Sequence, residues 1–309
     1  MLVGPTAGGK TALSLELAMR LGNTEIVSAD SMQVYRGMDI GTAKPSLMER
    51  ESVPHHLIDC ADPHAGDFTM AEWLRRARTV IEQIHARDHV AIVVGGTNLY
   101  VRALLEGVVD APQSDPALRA ELDALSEEHA RVELERIDPA SAARIHRHDR
   151  RRTLRALELH RLTGTKPSEL RDQWSDAPQP LPRGVSLVGL EWDVAVINGL
   201  INERVRRMFA AGLVDEVRSL LERGPLTRQA IEAVGYREVV EHLAGRMTLE
   251  EAIEQTKIRS RRLGKQQRTW LRRFRLIPGT VWLNGASGAK LLSEQLLAQR
   301  VIGRFKDSP

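Results

Sequence analysis

Cysteine is nearly absent: Cys60 is the only one in 309 residues. A single thiol can form no internal disulfide and no cysteine-rich zinc site, which fits a reducing compartment, and Cys60 reads as a small packed residue. Long apolar runs are missing as well. Nothing approaches the ~18 consecutive residues that a membrane span needs, and the first residues lack the pattern of a secretory leader. Aromatic residues make up only 4% of the chain, and neither an internal repeat nor a low-complexity tract is present. What remains, 42% hydrophobic and 28% charged residues, is the composition of a globular protein with room for one large domain and an insert, or for two domains. The cytoplasm is the expected compartment and a monomer the expected state. A formal net charge of +3 is mild, so the distribution of the arginines says more than their total.

The most specific stretch is Gly4-Pro5-Thr6-Ala7-Gly8-Gly9-Lys10-Thr11, a full match to G-x-x-x-x-G-K-S/T. Glycines let backbone N–H groups turn inward on a diphosphate, and the following helix puts its positive end behind them. Lys10 neutralises charge and the Thr11 hydroxyl can hold Mg²⁺. The context fits: Leu2-Val3 ends an apolar strand, and residues 11–21 carry Leu13, Leu17 and Leu21 at helical spacing. Only three residues precede the loop, fewer than the ~5–6 of an ordinary strand, so the strand is short or the native chain begins upstream.

Residues 25–29 read as a second strand that delivers Asp30 and Ser31 to its carboxyl end, where ligands collect in open α/β sheets. Asp30 can there be a helix N-cap, an indirect Mg²⁺ ligand or a base acting on substrate. Gln33, Tyr35 and Gly41-Thr42-Ala43-Lys44-Pro45 follow as a polar substrate loop, with Tyr35 expected at a rim and Lys44 as a second positive charge. His55 and His56 are adjacent on a short strand and point to opposite faces, which argues against a metal pair. Residues 69–86 form an amphipathic helix, and residues 90–94 are a continuous apolar run expected of a buried parallel strand. Gly95-Gly96-Thr97 then makes a second glycine turn, with a helix over 98–106 behind it.

Proline-rich turns at 110–116 and 178–182 bracket a helical insert with Leu118, Leu122 and Leu125 as its stripe. The expected division is a core of 1–112 and 184–309 around an insert of 113–183. Arg144, Arg147 and the run Arg150, Arg151, Arg152 with Arg155 make the insert basic. A last long helix, opened by Thr248-x-x-Glu251, bears Lys257, Arg259, Arg261, Arg262, Lys265, Arg268, Arg272 and Arg273, with Leu263, Trp270 and Phe274 kept for the core. Either basic run alone reads as a solvated face; two of them suit a nucleic acid. A strand is expected over 185–190 and a helix over 198–211, where Arg204, Arg206 or Arg207 can reach back to the phosphates. Residues 234–237 form a turn whose Tyr236 and Arg237 can clamp a base.

The phosphate loop, Ala29-Asp30-Ser31-Met32-Gln33-Val34-Tyr35, Gly41 to Pro45, Gly95 to Tyr100, Ala143-Arg144-Ile145-His146 and Val234 to Arg237 together resemble the tRNA dimethylallyltransferases, nearly end to end. The resemblance implies a phosphate-loop parallel sheet flanked by helices, with an all-helical insert. It implies transfer of the dimethylallyl group of dimethylallyl diphosphate to the exocyclic amine of the adenosine 3′-adjacent to the anticodon, with Mg²⁺. The loop, Gly4 to Thr11, would then hold an allylic diphosphate rather than ATP. Asp30 would be the base, Thr11 the metal ligand and Arg204 the arginine that steadies the leaving diphosphate. Asp30, Ser31, Met32, Gln33 and Thr97 match positions that touch tRNA, as do Arg151, Arg152, Thr153, Leu154 and Arg155, and Glu232, Ala233, Val234, Gly235, Tyr236 and Arg237. Glu232-Ala233 departs from the less acidic contact expected there, and the lack of a C-terminal cysteine-histidine finger implies a bacterial type. The rivals are a phosphate-loop kinase or nucleotide switch, a transferase acting on free adenine nucleotides, and an RNA-binding protein with a relic loop.

Overall fold

A computed structural model describes residues 1–107, 115–171 and 179–298. Six parallel strands form one sheet, β1 (Leu2–Val3), β2 (Thr24–Ser28), β3 (His55–His56), β4 (Val90–Gly95), β5 (Val188–Glu191) and β6 (Val281–Asn284), in the order β3-β2-β4-β1-β5-β6. The two residues of β1 are central, with Leu2 opposite both Val94 and Val188. Short as it is, β1 is paired on both sides, which satisfies the backbone of its two residues. All strands run the same way, so their carboxyl ends and the loops that leave them share one edge.

Both faces of the sheet are covered, as near-continuous apolar strands require. On one side Leu13, Leu17 and Ala18 of the Lys10–Leu21 helix pack with Ile26, Ile92, Val188 and Leu296. Elsewhere Trp73, from the Met70–His85 helix, is fully buried and stacks on Tyr100 with ring centroids 4.5 Å apart. Its indole N–H donates to the Ser28 carbonyl at 2.9 Å, which satisfies the polar end of a buried tryptophan. Beneath the amino end of β2, buried Glu25 accepts from Arg87 and bonds His56 and His89. Burial alone would raise its carboxyl, but these partners override that and hold it down at about 2. His56 thus serves the sheet, while His55 bonds the Val53 carbonyl.

The chain divides into two compact units, Met1–Leu105 with Pro178–Pro309, and Glu106–Ala177. Of the proline-rich turns expected to bracket the insert, residues 110–114 and 178 lie outside the described residues. The second unit is helical, with Leu122, Ala130, Leu134, Ile145, Leu154 and Leu157 as its core and Leu118 and Leu125 packed against it. Asp138 is its polar pin. Only 1% exposed, it caps the Pro139–Arg144 helix through Ser141 and accepts from both the N–H and the hydroxyl of Ser168.

Candidate active site

The loop between β1 and the Lys10–Leu21 helix turns through two left-handed residues, Ala7 (φ 60°) and Gly9 (φ 81°). Gly8 must be glycine for a different reason: a Cβ there would lie 2.8 Å from the Pro5 carbonyl oxygen and 3.1 Å from the Trp192 indole nitrogen. Lys10 folds back, its ammonium donating to the carbonyls of Gly4 (3.0 Å) and Pro5 (2.8 Å). Burial pushes its pKa down to about 8; Arg204 pushes the same way and Asp30 opposes, which puts both charges within electrostatic reach of the loop. Arg204 is the arginine of its helix that reaches this place. It donates to the Thr6 hydroxyl at 3.3 Å and the Thr42 carbonyl at 3.4 Å, whereas exposed Arg206 and Arg207 turn to Glu203.

Asp30 follows β2 at the same edge. Its Oδ1 accepts the N–H groups of Met32 (2.9 Å) and Gln33 (3.4 Å), a turn that fixes the carboxylate and leaves Oδ2 without a partner among the described residues. The second glycine turn is pressed against it: a Cβ on Gly95 would sit 2.0 Å from the Ala29 carbonyl oxygen. The Thr97 hydroxyl accepts from the Ser31 N–H at 2.9 Å. Gln33 accepts from the Ser28 hydroxyl and donates to the carbonyls of Thr42 and Ala43. Asp30, Ser31, Gln33, Thr97, Lys10, Thr11 and Arg204 therefore belong to the one edge where β1, β2 and β4 end. A small cavity of about 20 Å³ beside Thr11, lined also by Ser14, Ser28 and Gln33, has room for about one water.

No cluster of three acidic, histidine or cysteine side chains exists among the described residues to hold a metal by itself. The donors that are present are oxygens. Ser14 takes the Thr11 carbonyl at 2.8 Å, and among the described residues no hydrogen bond engages the Thr11 hydroxyl or Asp30 Oδ2. A hydroxyl, a carboxylate oxygen and the oxygens of a bound diphosphate form the set that a hard divalent cation takes.

Several expectations need correction. Tyr35 is no rim residue: it is fully buried, and its hydroxyl accepts from the Phe68 N–H at 3.4 Å. The charge of Lys44 is already used, since its 1% exposed side chain pairs with Asp59 (2.5 Å) and Asp39 (2.7 Å). Tyr236 clamps no base in this structure. It begins the Tyr236–Leu243 helix, is fully buried, and donates to Glu216 at 2.6 Å, with its ring packed so close that a Cβ on Gly41 would meet it at 2.3 Å. In that segment Arg237 and Glu232 are exposed and paired with each other, while Ala233 and Gly235 are buried. Arg237 and Val234 line a groove of about 820 Å³ that mixes Arg246, Arg259 and Arg262 with Glu238, Glu241 and Glu251.

The insert's basic stretch divides in the same way. Arg151 and Arg152 are exposed at the start of the Arg150–Thr163 helix, but Thr153 and Leu154 face the unit's core and Arg155 pairs with Glu158 at 2.6 Å. On the Leu249–Arg275 helix, Leu263 is exposed and the buried line runs through Thr256, Gly264, Gln267, Leu271 and Phe274. Gly264 occupies the place given to Leu263 because Ile201 comes within 3.1 Å of its Cβ position. Lys257 is buried against Glu254 rather than offered to solvent. Two residues of the site had no local signal: Glu216, which accepts the N–H groups of Asp39, Ile40 and Gly41, and Gln267, which accepts the Thr6 N–H at 2.7 Å.

A family profile described as IPP transferase matches residues 33–274. The tRNA dimethylallyltransferase of Myxococcus xanthus is 47% identical over 287 residues, covering 92% of this chain and 91% of that one. That of Geobacillus kaustophilus is 45% identical over 277 residues, covering 88% and 86%. Among solved structures, the tRNA isopentenylpyrophosphate transferase of Bacillus halodurans is 38% identical and covers 99% of this chain and 97% of its own, with a TM-score of 0.69. A eukaryotic dimethylallyltransferase acting on tRNA is 29% identical over 97% of this chain and 76% of its own, with a TM-score of 0.80.

Proposed function

The chain belongs to the IPP transferase family, and from that premise we propose that it transfers the dimethylallyl group of dimethylallyl diphosphate to the exocyclic amine of the adenosine 3′-adjacent to the anticodon in tRNA. A carbon–nitrogen bond forms, the carbon–oxygen bond to the diphosphate breaks, and one proton leaves the amine. The observation that carries this reading is the meeting of unlike charges at one sheet edge. Lys10 and Arg204 flank the phosphate loop, and Asp30 presents beside them a carboxylate oxygen without a partner among the described residues. An adenine amine is a weak nucleophile because its lone pair is delocalised. The site must therefore neutralise the departing diphosphate and remove a proton.

Lys10, Arg204 and the backbone N–H groups of Gly9 and Lys10 serve the first need, the Gly8 N–H being taken by the Pro5 carbonyl at 3.1 Å. Asp30 serves the second as general base, a role worth roughly 10²–10⁴ in rate. Mg²⁺ is the divalent ion we assign, held by Thr11 with Asp30 nearby; bound there, it would neutralise diphosphate charge. The target adenine must leave its stack to reach a loop at the sheet edge, so the base is flipped. Arg151 and Arg152 of the helical unit and exposed Arg262, Lys265 and Arg272 of the long helix supply the cations that grip RNA phosphates. No described helix is long and apolar enough to cross a membrane, and we place the enzyme in the cytoplasm with its substrate.

The test is incubation of labelled dimethylallyl diphosphate with unmodified tRNA, followed by nucleoside analysis, for the wild type and Asp30→Ala. The wild type should prenylate one adenosine and Asp30→Ala should lose at least about a hundredfold in turnover at saturating substrates. Undiminished turnover in the variant removes Asp30 as base. Brisk hydrolysis of nucleoside triphosphates without prenyl transfer favours the kinase class instead.

A further inference from the structure

The Leu249–Arg275 helix has a buried polar residue where an apolar one would be expected. Gln267 is 7% exposed, and its side-chain amide is spent on two loops far away in sequence. Its Oε1 accepts the Thr6 N–H at 2.7 Å, in the phosphate loop, and its Nε2 donates to the Gly96 carbonyl at 3.0 Å, in the second glycine turn. The Asn98 side-chain amide reaches the backbone carbonyl of Gln267 itself at 3.5 Å. One planar group thus bridges the loop after β1 and the loop after β4, donating to one and accepting from the other. A primary amide suits this place because it carries its donor and its acceptor on separate atoms of one rigid plane. The approach is close enough to dictate Gly96: a Cβ there would lie 2.4 Å from Nε2.

Thr6 is then held at both ends, its N–H by Gln267 and its hydroxyl by Arg204. Its N–H is unavailable to a phosphate, so Thr6 anchors the loop while later residues do the binding. From this geometry we propose that Gln267 is a positioning residue for the diphosphate: it sets the spacing of the two glycine turns and thereby the shape of the phosphate cradle. The proposal rests on the reading of the loop as a diphosphate site and names a residue that acts on it without touching substrate.

Gln267→Met keeps the length of the side chain and removes both hydrogen bonds; Gly96→Ala disturbs the same contact from the other side. Inorganic diphosphate is the probe, titrated calorimetrically into the full chain, alongside tRNA affinity by filter binding, steady-state kinetics and thermal unfolding. Each variant should weaken diphosphate about tenfold, because a cradle that is no longer pre-organised must be ordered on binding, and raise KM for the allylic diphosphate. The affinity for tRNA should stay unchanged, and the double variant should be no worse than either single one. Unchanged diphosphate affinity in both variants overturns the proposal. So do losses of diphosphate and tRNA affinity that fall together with thermal stability, or losses that add in the double variant. A wild type that binds no diphosphate removes the functional reading, and this proposal with it, whereas failure of the variants alone leaves that reading standing.

Discussion

Lys10 gives the site a pH dependence that can be measured without RNA. In the free protein its ammonium bonds two loop carbonyls, and burial with Arg204 nearby lowers its pKa to about 8, against 10.5 for a free lysine. A diphosphate in the loop stabilises the charged form and raises that pKa again, so binding takes up a proton wherever the free enzyme has lost it. Between pH 7 and pH 9 the protonated fraction of the free enzyme falls from roughly nine-tenths to roughly one-tenth, so the affinity supplied through Lys10 falls about tenfold, or about 1.4 kcal/mol. The assay is calorimetric titration of inorganic diphosphate into wild type and Lys10→Met at pH 7, 8 and 9. Ionisation of diphosphate itself affects both proteins equally and cancels in the ratio of their affinities. That ratio should shrink about tenfold across the range. The sign for stability is opposite. Because the folded pKa lies below the unfolded one, the unfolded chain binds more protons between pH 8 and 10.5, and the wild type gains stability as pH rises through that window. Lys10→Met should therefore stabilise the free fold at pH 7, by about 3 kcal/mol at most, with the advantage fading towards pH 10.5. An affinity ratio that stays constant from pH 7 to 9 would falsify the account of Lys10.

Two further substitutions probe the loop and the RNA surface. Glu216 accepts the N–H groups of Asp39 (2.9 Å), Ile40 (2.7 Å) and Gly41 (3.3 Å) together with the Tyr236 hydroxyl. Glu216→Ala should cost about 3 kcal/mol of stability, and Tyr236→Phe, which loses one bond, about 1 kcal/mol; equal losses in denaturant titrations would show that Glu216 does not hold the loop. Replacing both Arg151 and Arg152 by alanine should lower the slope of log affinity for tRNA against log salt by about 1–2 and leave diphosphate binding intact. An unchanged slope in filter binding would count against the helical unit as an RNA surface.

Much of this arrangement is legible in the chain because its signals are local. The phosphate loop, the apolar run of β4, the helix at Met70–His85 and the carboxyl-end placement of Asp30 each depend on a few consecutive residues. Where reading failed, a polar residue had been buried by a distant partner. The segment from Asp30 to Pro45 looks solvated, yet Lys44 is neutralised by Asp39 and Asp59, and Tyr35 reaches the Phe68 N–H. Tyr236 beside Arg237 looks like an aromatic-cation clamp until Glu216, itself bound to residues 39–41, captures its hydroxyl.

The long helix states the same physics most sharply. Apolar spacing picks out Leu263, but hydrophobicity is only one way to deserve burial: close approach of Ile201 selects Gly264, and two loops at the carboxyl edge of the sheet that need one donor and one acceptor select Gln267. Gln267 lies 261 residues from Thr6 and 171 from Gly96 along the chain. No periodicity can encode such a pairing, because the selective pressure on it is the unpaired cost of a buried N–H and a buried carbonyl, about 1–3 kcal/mol each. That cost exists only after the sheet has brought the two glycine turns side by side. It follows that the residues which shape this cradle belong to the folded edge rather than to the motif, and that a phosphate loop grafted without its Gln267 would keep its glycines and lose its geometry.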